Sequence, residues 1–452
     1  MKSAKAPQRQ KLSLWRRCLI GGVLVIAALL TAIALLAVVL AWWPDIAKPD
    51  DLAMKPKWSN VGKDNPLAAL QQWLAEHPNT GRADNRFRMA FDDDEWDAET
   101  ADELISENTE LMSQFDQLVA SLDDSWQWEE TDKLASYSSD FPYLQPIQNM
   151  ANLASIRSRQ MTEQDNVSEG IRLAVNLMKV GKKLGEAEGA LVHWLVGRTC
   201  WANGMKRLDK ALPKSNMDST QLAELQKDMA GLHPEAQHLQ FALKAEYLTF
   251  TRLLDDLKSG RHARYLEQKA SVHPVFMPYL QKNRSKAMYL EIVQPFVENL
   301  DKGWKQGDMG RHVYMEQVRT IKADLFKLLV HPNAVGQMLI ALALPTTSRL
   351  VEIHYYDKAL HQCVIVGLEL RRHQLTHGKL PEELLADNHG ILPTDGFDEK
   401  PLKWNKKTGV IYSVGPDLKD DGGLLEREMG AIRIKRPDVG ISYWWHDARD
   451  VK

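Results

Sequence analysis

Residues 19–43 read LIGGVLVIAALLTAIALLAVVLAWW, an apolar run in which Thr31 is the only strongly polar side chain. Fourteen Leu, Ile or Val side chains in this run favour its insertion into a bilayer by roughly 4–8 kcal/mol in total. A helix over residues 18–43 is about 39 Å long, which exceeds the roughly 30 Å of a hydrocarbon core. The sequence therefore predicts one transmembrane helix over residues 18–43, ended by Pro44.

The charges on either side of this run predict its orientation. Residues 1–17 carry six basic side chains and no acidic one, whereas Asp45, Asp50 and Asp51 follow the run. Because basic segments stay on the cytoplasmic side, residues 1–17 are expected to form a cytoplasmic tail, with the bulk of the chain on the far side. The alternative is a cleaved secretory signal, which leads to the same compartment without the tether.

The composition of the chain is that of a globular protein. Charged residues make up 26% and hydrophobic residues 44%, values near the globular averages that indicate neither a disordered chain nor a polytopic membrane protein. The net charge of −3 gives no reason to expect a nucleic-acid partner. Cys200 and Cys363 lie in apolar helical contexts, so two buried thiols are the favoured interpretation and a single disulfide is the alternative.

Helical periodicity dominates the region after the apolar run. Residues 44–66 contain four prolines among charged residues and are interpreted as a linker, and residues 67–346 as a helical domain. Apolar residues recur at spacings of three and four, which predicts helices over 67–76, 147–162, 167–185, 187–212, 218–230, 234–258, 285–306 and 309–331. The pair 147–162 and 167–185 resembles a helical-repeat unit, but no fixed period follows it.

An acidic stretch over residues 91–132 contains no lysine or arginine. One interpretation is a face that binds cations or a partner. The favoured one is the solvated side of amphipathic helices, because Leu104, Leu111, Phe115 and Leu118 recur at helical spacing between the charges.

The last hundred residues change in character. A long helix is predicted over 347–377, ended by Gly378, and a hairpin is predicted from strands at 402–405 and 410–414. The following segment, Tyr412-Ser-Val-Gly-Pro-Asp-Leu-Lys-Asp-Asp-Gly-Gly423, places three carboxylates among turn-forming glycines. Such a loop suits Ca²⁺, which takes several oxygen ligands, and a solvated surface loop is the alternative.

The C-terminal region resembles that of the major type II secretion pseudopilins. The likeness is carried by the helix end at His377-Gly378-Lys-Leu-Pro381, by Thr394-Asp395-Gly396-Phe397 and by the loop from Tyr412. It implies a small α+β domain over residues 347–452 that holds Ca²⁺. Carried across, the ligands are the carboxylates of Asp417, Asp420 and Asp421 with the carbonyl of Val414. Asp395 matches the family's turn aspartate, whereas Gly396 stands where that family has proline.

The chain departs from pseudopilins at its start, because it has neither their short leader nor the glutamate of their early mature helix. A wider likeness covers most of the chain: it is similar to uncharacterised bacterial membrane-anchored proteins with an anchor, a helical middle containing Asn333-Ala-Val-Gly336, a long helix and the YSVGPD-x-x-DDGG tail. This likeness implies an inner-membrane protein whose bulk is periplasmic, and it brings no known activity.

Enzyme motifs are weak in this sequence. His373 and His377 have the spacing of a zincin helix, but Gln374 replaces the essential glutamate, and Glu369 with His361 could at most complete a structural zinc site. The favoured function is therefore a non-enzymatic envelope protein that contacts other envelope proteins. The alternative is an envelope hydrolase or modifying enzyme whose site lies in the helical domain.

Overall fold

The computed structural model describes residues 43–59, 65–81, 84–90, 94–128, 141–259, 279–304, 332–384, 393–425 and 438–442, with the backbone alone over 342–348, and five helical positions between 31 and 39. The described chain is mainly helical and carries one small three-stranded sheet. This confirms the predicted fold class at that level.

The helices of the described chain are α1 (Pro66–Glu76), α2 (Ala98–Glu107), α3 (Thr109–Ala120), α4 (Leu144–Glu163), α5 (Val167–Glu186), α6 (Leu191–Ala211), α7 (Ser219–Ala230), α8 (Ala236–Lys258), α9 (Lys282–Asn299) and α10 (Ala334–His377). Short 3-10 helices cover Leu52–Met54, Asn85–Ala90 and Leu212–Lys214. The predicted helices agree with α1 and with α4 to α8 within a few residues, and the helix predicted over 309–331 lies outside the described residues.

Local sequence explains several helix ends. Asp218 accepts hydrogen bonds from the backbone N–H groups of Thr220 and Gln221 at 2.8 and 2.9 Å, and the Gln221 side chain returns to the Asp218 N–H, which completes a capping box at α7. Asn65 caps α1 just before Pro66. Gly378 adopts a φ of 73° directly after α10, which confirms the predicted end of the long helix.

The long helix begins earlier than predicted. It starts at Ala334 instead of Thr347, because the apolar residues before Pro345 continue the same helix. The helix continues through Pro345, although proline disfavours a helix interior.

The chain divides into two compact units. One comprises Met1–Asp50, Leu254–Tyr289 and Tyr314–Leu344, and the other comprises Asp51–Leu253, Leu290–Val313 and Pro345–Lys452. Three of the boundaries fall within α8, α9 and α10. We call the first the anchor-side unit and the second the main unit.

In the anchor-side unit, the segment that follows the predicted anchor is tied to the start of α9. The Asp45 carboxylate accepts hydrogen bonds from the backbone N–H groups of Asn283 and Arg284 at 2.8 and 3.0 Å, which satisfies donors that a helix start leaves unpaired. Asn333, the first residue of the Asn-Ala-Val-Gly segment, accepts from the Gln281 N–H and the Ser285 hydroxyl at 2.9 and 3.1 Å.

Two hydrophobic clusters hold the main unit. The first joins α1 to α6 and includes Leu104, Leu111, Phe115 and Leu118 of the acidic stretch, so the apolar positions of that stretch are buried as the amphipathic interpretation requires. The second joins α5, α6 and α7 to α10 and to the sheet, through residues such as Cys363.

The sheet has the order β1-β2-β3, with β1 at Lys403–Asn405, β2 at Val410–Ser413 and β3 at Val439–Ser442, all antiparallel. The first two strands form the predicted hairpin, in the register Lys403↔Tyr412. Strand β3 was not predicted. It pairs with β2 from far along the chain, without the short Gly-containing loop that marked the hairpin of β1 and β2.

Within the predicted anchor, the structure describes Trp43 and the helical positions 31, 32, 35, 38 and 39, and the rest of residues 18–43 lies outside the described residues. Leu35, Val38 and Val39 are each more than half exposed. Among the described residues, no helix combines the length and the apolarity that a membrane crossing requires.

Candidate functional site

Helices α5 and α6 touch backbone to backbone. A Cβ added at Gly181 would lie 2.7 Å from the Gly197 carbonyl oxygen, and one added at Gly197 would lie 2.7 Å from the Gly181 carbonyl oxygen. Real Cβ atoms do not approach other atoms this closely, so only glycine fits at either position. The contact brings the C-terminal half of α5 against the middle of α6.

This helix contact forms one wall of a groove in the main unit, here called the central groove. Its middle is a narrow pocket of about 50 Å³. It continues into a pocket of about 310 Å³ at one end and about 460 Å³ at the other. The middle is lined by Gly181, Lys182, Gly185, Trp194, Arg198, Trp201, Leu232, His233, Pro234, Glu235, His238 and Asp357.

The floor of the central groove contains a bidentate ion pair. Arg198 Nε and Nη2 donate to the two Asp357 carboxylate oxygens, each at 2.8 Å. The Asp357 side chain is only 3% exposed, whereas Arg198 is 29% exposed. Burial raises the pKa of Asp357, and the paired guanidinium opposes this rise without cancelling it. The pair joins α6 to α10 at the point where the 460 Å³ end begins.

A second charge cluster also lines the middle pocket. The Lys182 ammonium contacts Glu186 and lies 3.4 Å from Glu235. His238 Nε2 lies 3.4 Å from Glu235 Oε2 and 3.9 Å from Glu186 Oε1. Lys182 and Glu186 belong to α5, whereas Glu235 directly precedes α8 and His238 lies in its first turn, about fifty residues later in sequence.

The protonation states in this cluster follow from burial and from the neighbouring charges. Burial lowers the pKa of His238, and the carboxylates of Glu186 and Glu235 only partly offset this, so the imidazole is neutral near pH 7. Burial works against ionisation of Glu235, but the nearby Lys182 charge outweighs it and the pKa of Glu235 lies below its usual range. The pKa of Lys182 is raised, because its pairing with Glu186 outweighs its own burial.

One group of side chains among the described residues could hold a metal ion. It consists of Glu186, Glu235 and His238, whose ligand atoms all lie within 4.8 Å of one another. The sequence analysis missed this group. One local signal was present: Glu235-Ala-Gln-His238 is a Glu-x-x-His motif, which helical metal proteins pair with a glutamate from another helix.

The predicted calcium residues lie in the loop after β2. The Asp420 carboxylate accepts hydrogen bonds from the Tyr412 hydroxyl at 2.9 Å and from the Gly422 N–H at 3.0 Å, and it pairs with Lys403 at 3.0 Å. Asp417 accepts from the N–H of Lys419 at 3.1 Å. The Val414 carbonyl belongs to the buried start of the loop. The Asp417, Asp420 and Asp421 side chains are not in the compact ligand group above, and calcium binding by them stays a prediction.

Two further aspartates organise this loop. Asp395 is 3% exposed and accepts hydrogen bonds from the N–H groups of Phe397 and Val414 and from the Ser413 hydroxyl. Asp438, also 3% exposed, accepts from the Gly423 N–H at 2.8 Å and the Asp421 N–H at 3.4 Å. The sequence singled out Asp395 as a turn residue, whereas nothing local marked Asp438.

The other candidates from the sequence are engaged in structural contacts. The His373 and His377 rings stack, and each Nδ1 lies 3.1 Å from a backbone carbonyl at the helix end. His361 Nε2 donates to the Met229 carbonyl at 2.8 Å, and Glu369 pairs with Arg372.

Cys200 and Cys363 are free and buried, as the favoured interpretation held. Burial raises the pKa of the Cys200 thiol to about 12, and it raises that of Cys363 as well. Neither thiol is therefore available as a thiolate near neutral pH.

Comparison of the chain with protein-family models, with curated proteins and with solved structures finds no match. The likeness to pseudopilins and to bacterial membrane-anchored proteins accordingly stays a prediction from the sequence.

Proposed function

We propose that this chain is a single-pass inner-membrane protein of the bacterial cell envelope. Its main unit lies outside the cytoplasm and binds a partner protein, without catalysis, in the central groove. One observation carries this proposal: the middle pocket shares three lining residues with each of its two neighbouring pockets, and together the three present charges of both signs and aromatic side chains. Connected pockets of this kind suit an extended polypeptide, whose backbone and side chains need both polar and apolar contacts.

The 460 Å³ end favours a protein partner. Its lining combines Lys206, Asp209 and Lys210 with apolar Leu360 and with Tyr356, which is 37% exposed. Tyrosine is enriched at protein interfaces, and charged residues of both signs suit the polar rim that surrounds such a contact. The charged groups of the middle pocket, in contrast, are paired with one another, which suits recognition better than attack on a substrate.

Site-specific photocrosslinking in living cells tests the groove. A photoreactive amino acid placed at Tyr356 or Lys210 is expected to give a discrete crosslinked product. The same amino acid at Leu375, which is exposed on α10 outside the groove lining, serves as the control and is expected to give none. Absence of products at both groove positions, or equal products at Leu375, contradicts a partner in the groove.

The membrane part of the proposal rests on the apolar run of residues 18–43 and on the basic tail of residues 1–17. Two measurements test it: resistance of the full chain to alkaline extraction from vesicles, and protection of the main unit from protease added on the cytoplasmic side. Release of the chain by alkali, or digestion of the main unit from the cytoplasmic side, contradicts the anchor or its orientation.

An envelope hydrolase or modifying enzyme is the second candidate. The observation that favours it is the approach of neutral His238 to Glu235 in a groove, because such a pair can move a proton. Purified full-length protein is to be assayed for release of soluble fragments from peptidoglycan and from phospholipid vesicles. Turnover by wild-type protein that is lost in Glu235→Gln establishes this candidate, and absence of turnover on both substrates leaves the binding function in place.

A further inference from the structure

We propose that Glu186, Glu235 and His238 form a binding site for one divalent first-row transition-metal ion, at the junction of the middle pocket and the 310 Å³ pocket of the central groove. This site is distinct from the predicted calcium loop, and it does not depend on the partner-binding function proposed above.

The spacing of the three ligand atoms fits such an ion. Metal–ligand bonds of about 2.0–2.2 Å in tetrahedral geometry place neighbouring ligand atoms roughly 3.4 Å apart. His238 Nε2 lies 3.4 Å from Glu235 Oε2 and 3.9 Å from Glu186 Oε1. The three ligand atoms all lie within 4.8 Å of one another, so their spacing is close to the one that a bound ion imposes.

The ligand set determines the class of metal. Two carboxylates and one imidazole suit Zn²⁺, Mn²⁺ or Fe²⁺, whereas Ca²⁺ takes six to eight oxygen ligands. The two carboxylates balance the charge of a divalent ion.

The arrangement also follows a known helical pattern. A Glu-x-x-His pair on one helix with a glutamate from a second helix forms one half of the carboxylate metal sites of helical bundles. Here Glu235 directly precedes α8, His238 lies in the first turn of that helix, and Glu186 is the last residue of α5. Because the described residues contain one such set, the site is inferred to hold a single ion.

Adjoining space leaves room for further ligands of the ion. Gly185, Trp194 and His238 line both the middle pocket and the 310 Å³ pocket, so the ligand atoms lie where two pockets meet. Three protein ligands with an open side is the coordination of metal sites that bind water or a further ligand.

Lys182 is the competitor of the metal. Its ammonium contacts Glu186 and lies near Glu235, and so it takes the place of a cation between the two carboxylates. An ion that enters must displace this long and flexible side chain. Removal of the Lys182 charge is therefore expected to strengthen metal binding. If the cluster served only as a set of ion pairs, the same substitution would only lower the stability of the protein.

Calorimetric titration of chelator-treated full-length protein in detergent with Zn²⁺ tests the site, and Co²⁺ absorption reports on the ligand geometry. One equivalent is expected to bind to wild-type protein. His238→Ala and Glu235→Gln are each expected to weaken binding by about 10-fold or more, as is typical when a metal site loses a group that supports it. Lys182→Met is expected to bind more tightly than wild type, a gain that misfolding cannot produce.

The matched controls are His377→Ala, an exposed histidine, and Glu163→Gln, a helical glutamate paired with Lys214 at 2.7 Å. Both are expected to retain wild-type affinity. The proposal is overturned if wild-type protein shows no saturable Zn²⁺ binding, if His238→Ala binds as tightly as wild type, or if Lys182→Met weakens binding. Crosslinking at Tyr356 tests the partner-binding function separately from all of these outcomes.

Discussion

The Asp395 carboxylate accepts a hydrogen bond of 2.7 Å from the Ser413 hydroxyl, and its second oxygen accepts one of 2.8 Å from the Val414 N–H. These bonds join the turn after α10 to the end of β2, where the YSVGPD loop begins. The Gly415 N–H in turn donates to Ser413 Oγ at 3.1 Å. Through these hydrogen bonds, Asp395 stabilises the conformation at the start of the loop.

Asp395→Ala is expected to lower the free energy of unfolding by about 3 kcal/mol, because buried donors lose a charged acceptor. Asp398→Ala is the neighbouring comparison: that carboxylate accepts from the Lys400 N–H within its own turn, and a loss below about 1 kcal/mol is expected. Urea unfolding of the purified full chain measures both. Equal losses for the two variants would argue against a special role of Asp395.

The Arg198–Asp357 pair is expected to respond asymmetrically to substitution. Arg198→Met leaves a buried carboxylate unpaired and is expected to cost about 3–5 kcal/mol. Asp357→Asn leaves a guanidinium that still reaches solvent, and so a smaller loss is expected. The double variant is expected to recover part of the first loss. A double-mutant cycle in urea measures the coupling, and strictly additive losses would show that the pair does not act as a unit.

Gly181→Ala is expected to destabilise the main unit by at least about 2 kcal/mol, because its Cβ overlaps the backbone of α6. This loss outweighs the roughly 1 kcal/mol that alanine gains over glycine inside a helix. Gly231→Ala is the matched control, because a Cβ there meets nothing within 4 Å and its φ of −82° suits any residue. Thermal unfolding compares the two, and similar melting temperatures would refute the close helix contact.

Ca²⁺ is expected to raise the melting temperature of the full chain if the loop after β2 holds the ion, since a ligand that binds only the folded state stabilises it. Asp417→Ala with Asp421→Ala is expected to abolish the rise. Asp123→Ala with Asp124→Ala removes two exposed carboxylates from the acidic stretch and should leave it intact. A rise that survives the first pair of substitutions places calcium elsewhere.

Asp438 is expected to give the protein an unusual dependence on pH. Burial, with Asp421 and Asp420 nearby, raises its pKa from 3.8 to about 6. The folded state therefore binds a proton at Asp438 more readily than the unfolded state does. The contribution of Asp438 to the free energy of unfolding is largest below about pH 4 and is lost as the pH rises through about 6. The change amounts to about 1–3 kcal/mol. Asp438→Asn should remove this pH dependence, which urea unfolding between these pH values measures. If the free energy of unfolding of the variant depends on pH as in the wild type, the assignment to Asp438 is wrong.

Sequence patterns predicted the elements whose signals are local. The periodicity over 167–185 gave α5, and Gly378 gave the end of α10, because amphipathic spacing and a left-handed cap depend on nearby residues. The hairpin of β1 and β2 followed from its Gly-containing loop. The same patterns did not give β3, and they placed the start of α10 too late.

The candidate site was predicted less well from the sequence than the fold. Asp417, Asp420 and Asp421 drew attention because they are close in sequence, yet the compact ligand group of the described chain is Glu186, Glu235 and His238. Glu186 ends α5, whereas Glu235 and His238 lie about fifty residues later at the beginning of α8, so only the tertiary structure brings the three together. Such a contact leaves almost no signal in any single segment of sequence.

The sequence by itself determined that this is a mainly helical chain with a small C-terminal hairpin, and it predicts one membrane anchor near its start. Apolar spacing, caps and charge placement act over a few residues, so they can be recognised without the fold. Only the tertiary structure decided which charges meet in the central groove, which aspartates lie buried beneath the loop, and that Glu186 reaches His238. These relationships depend on contacts between distant segments, whose geometry is set by the packing of whole helices.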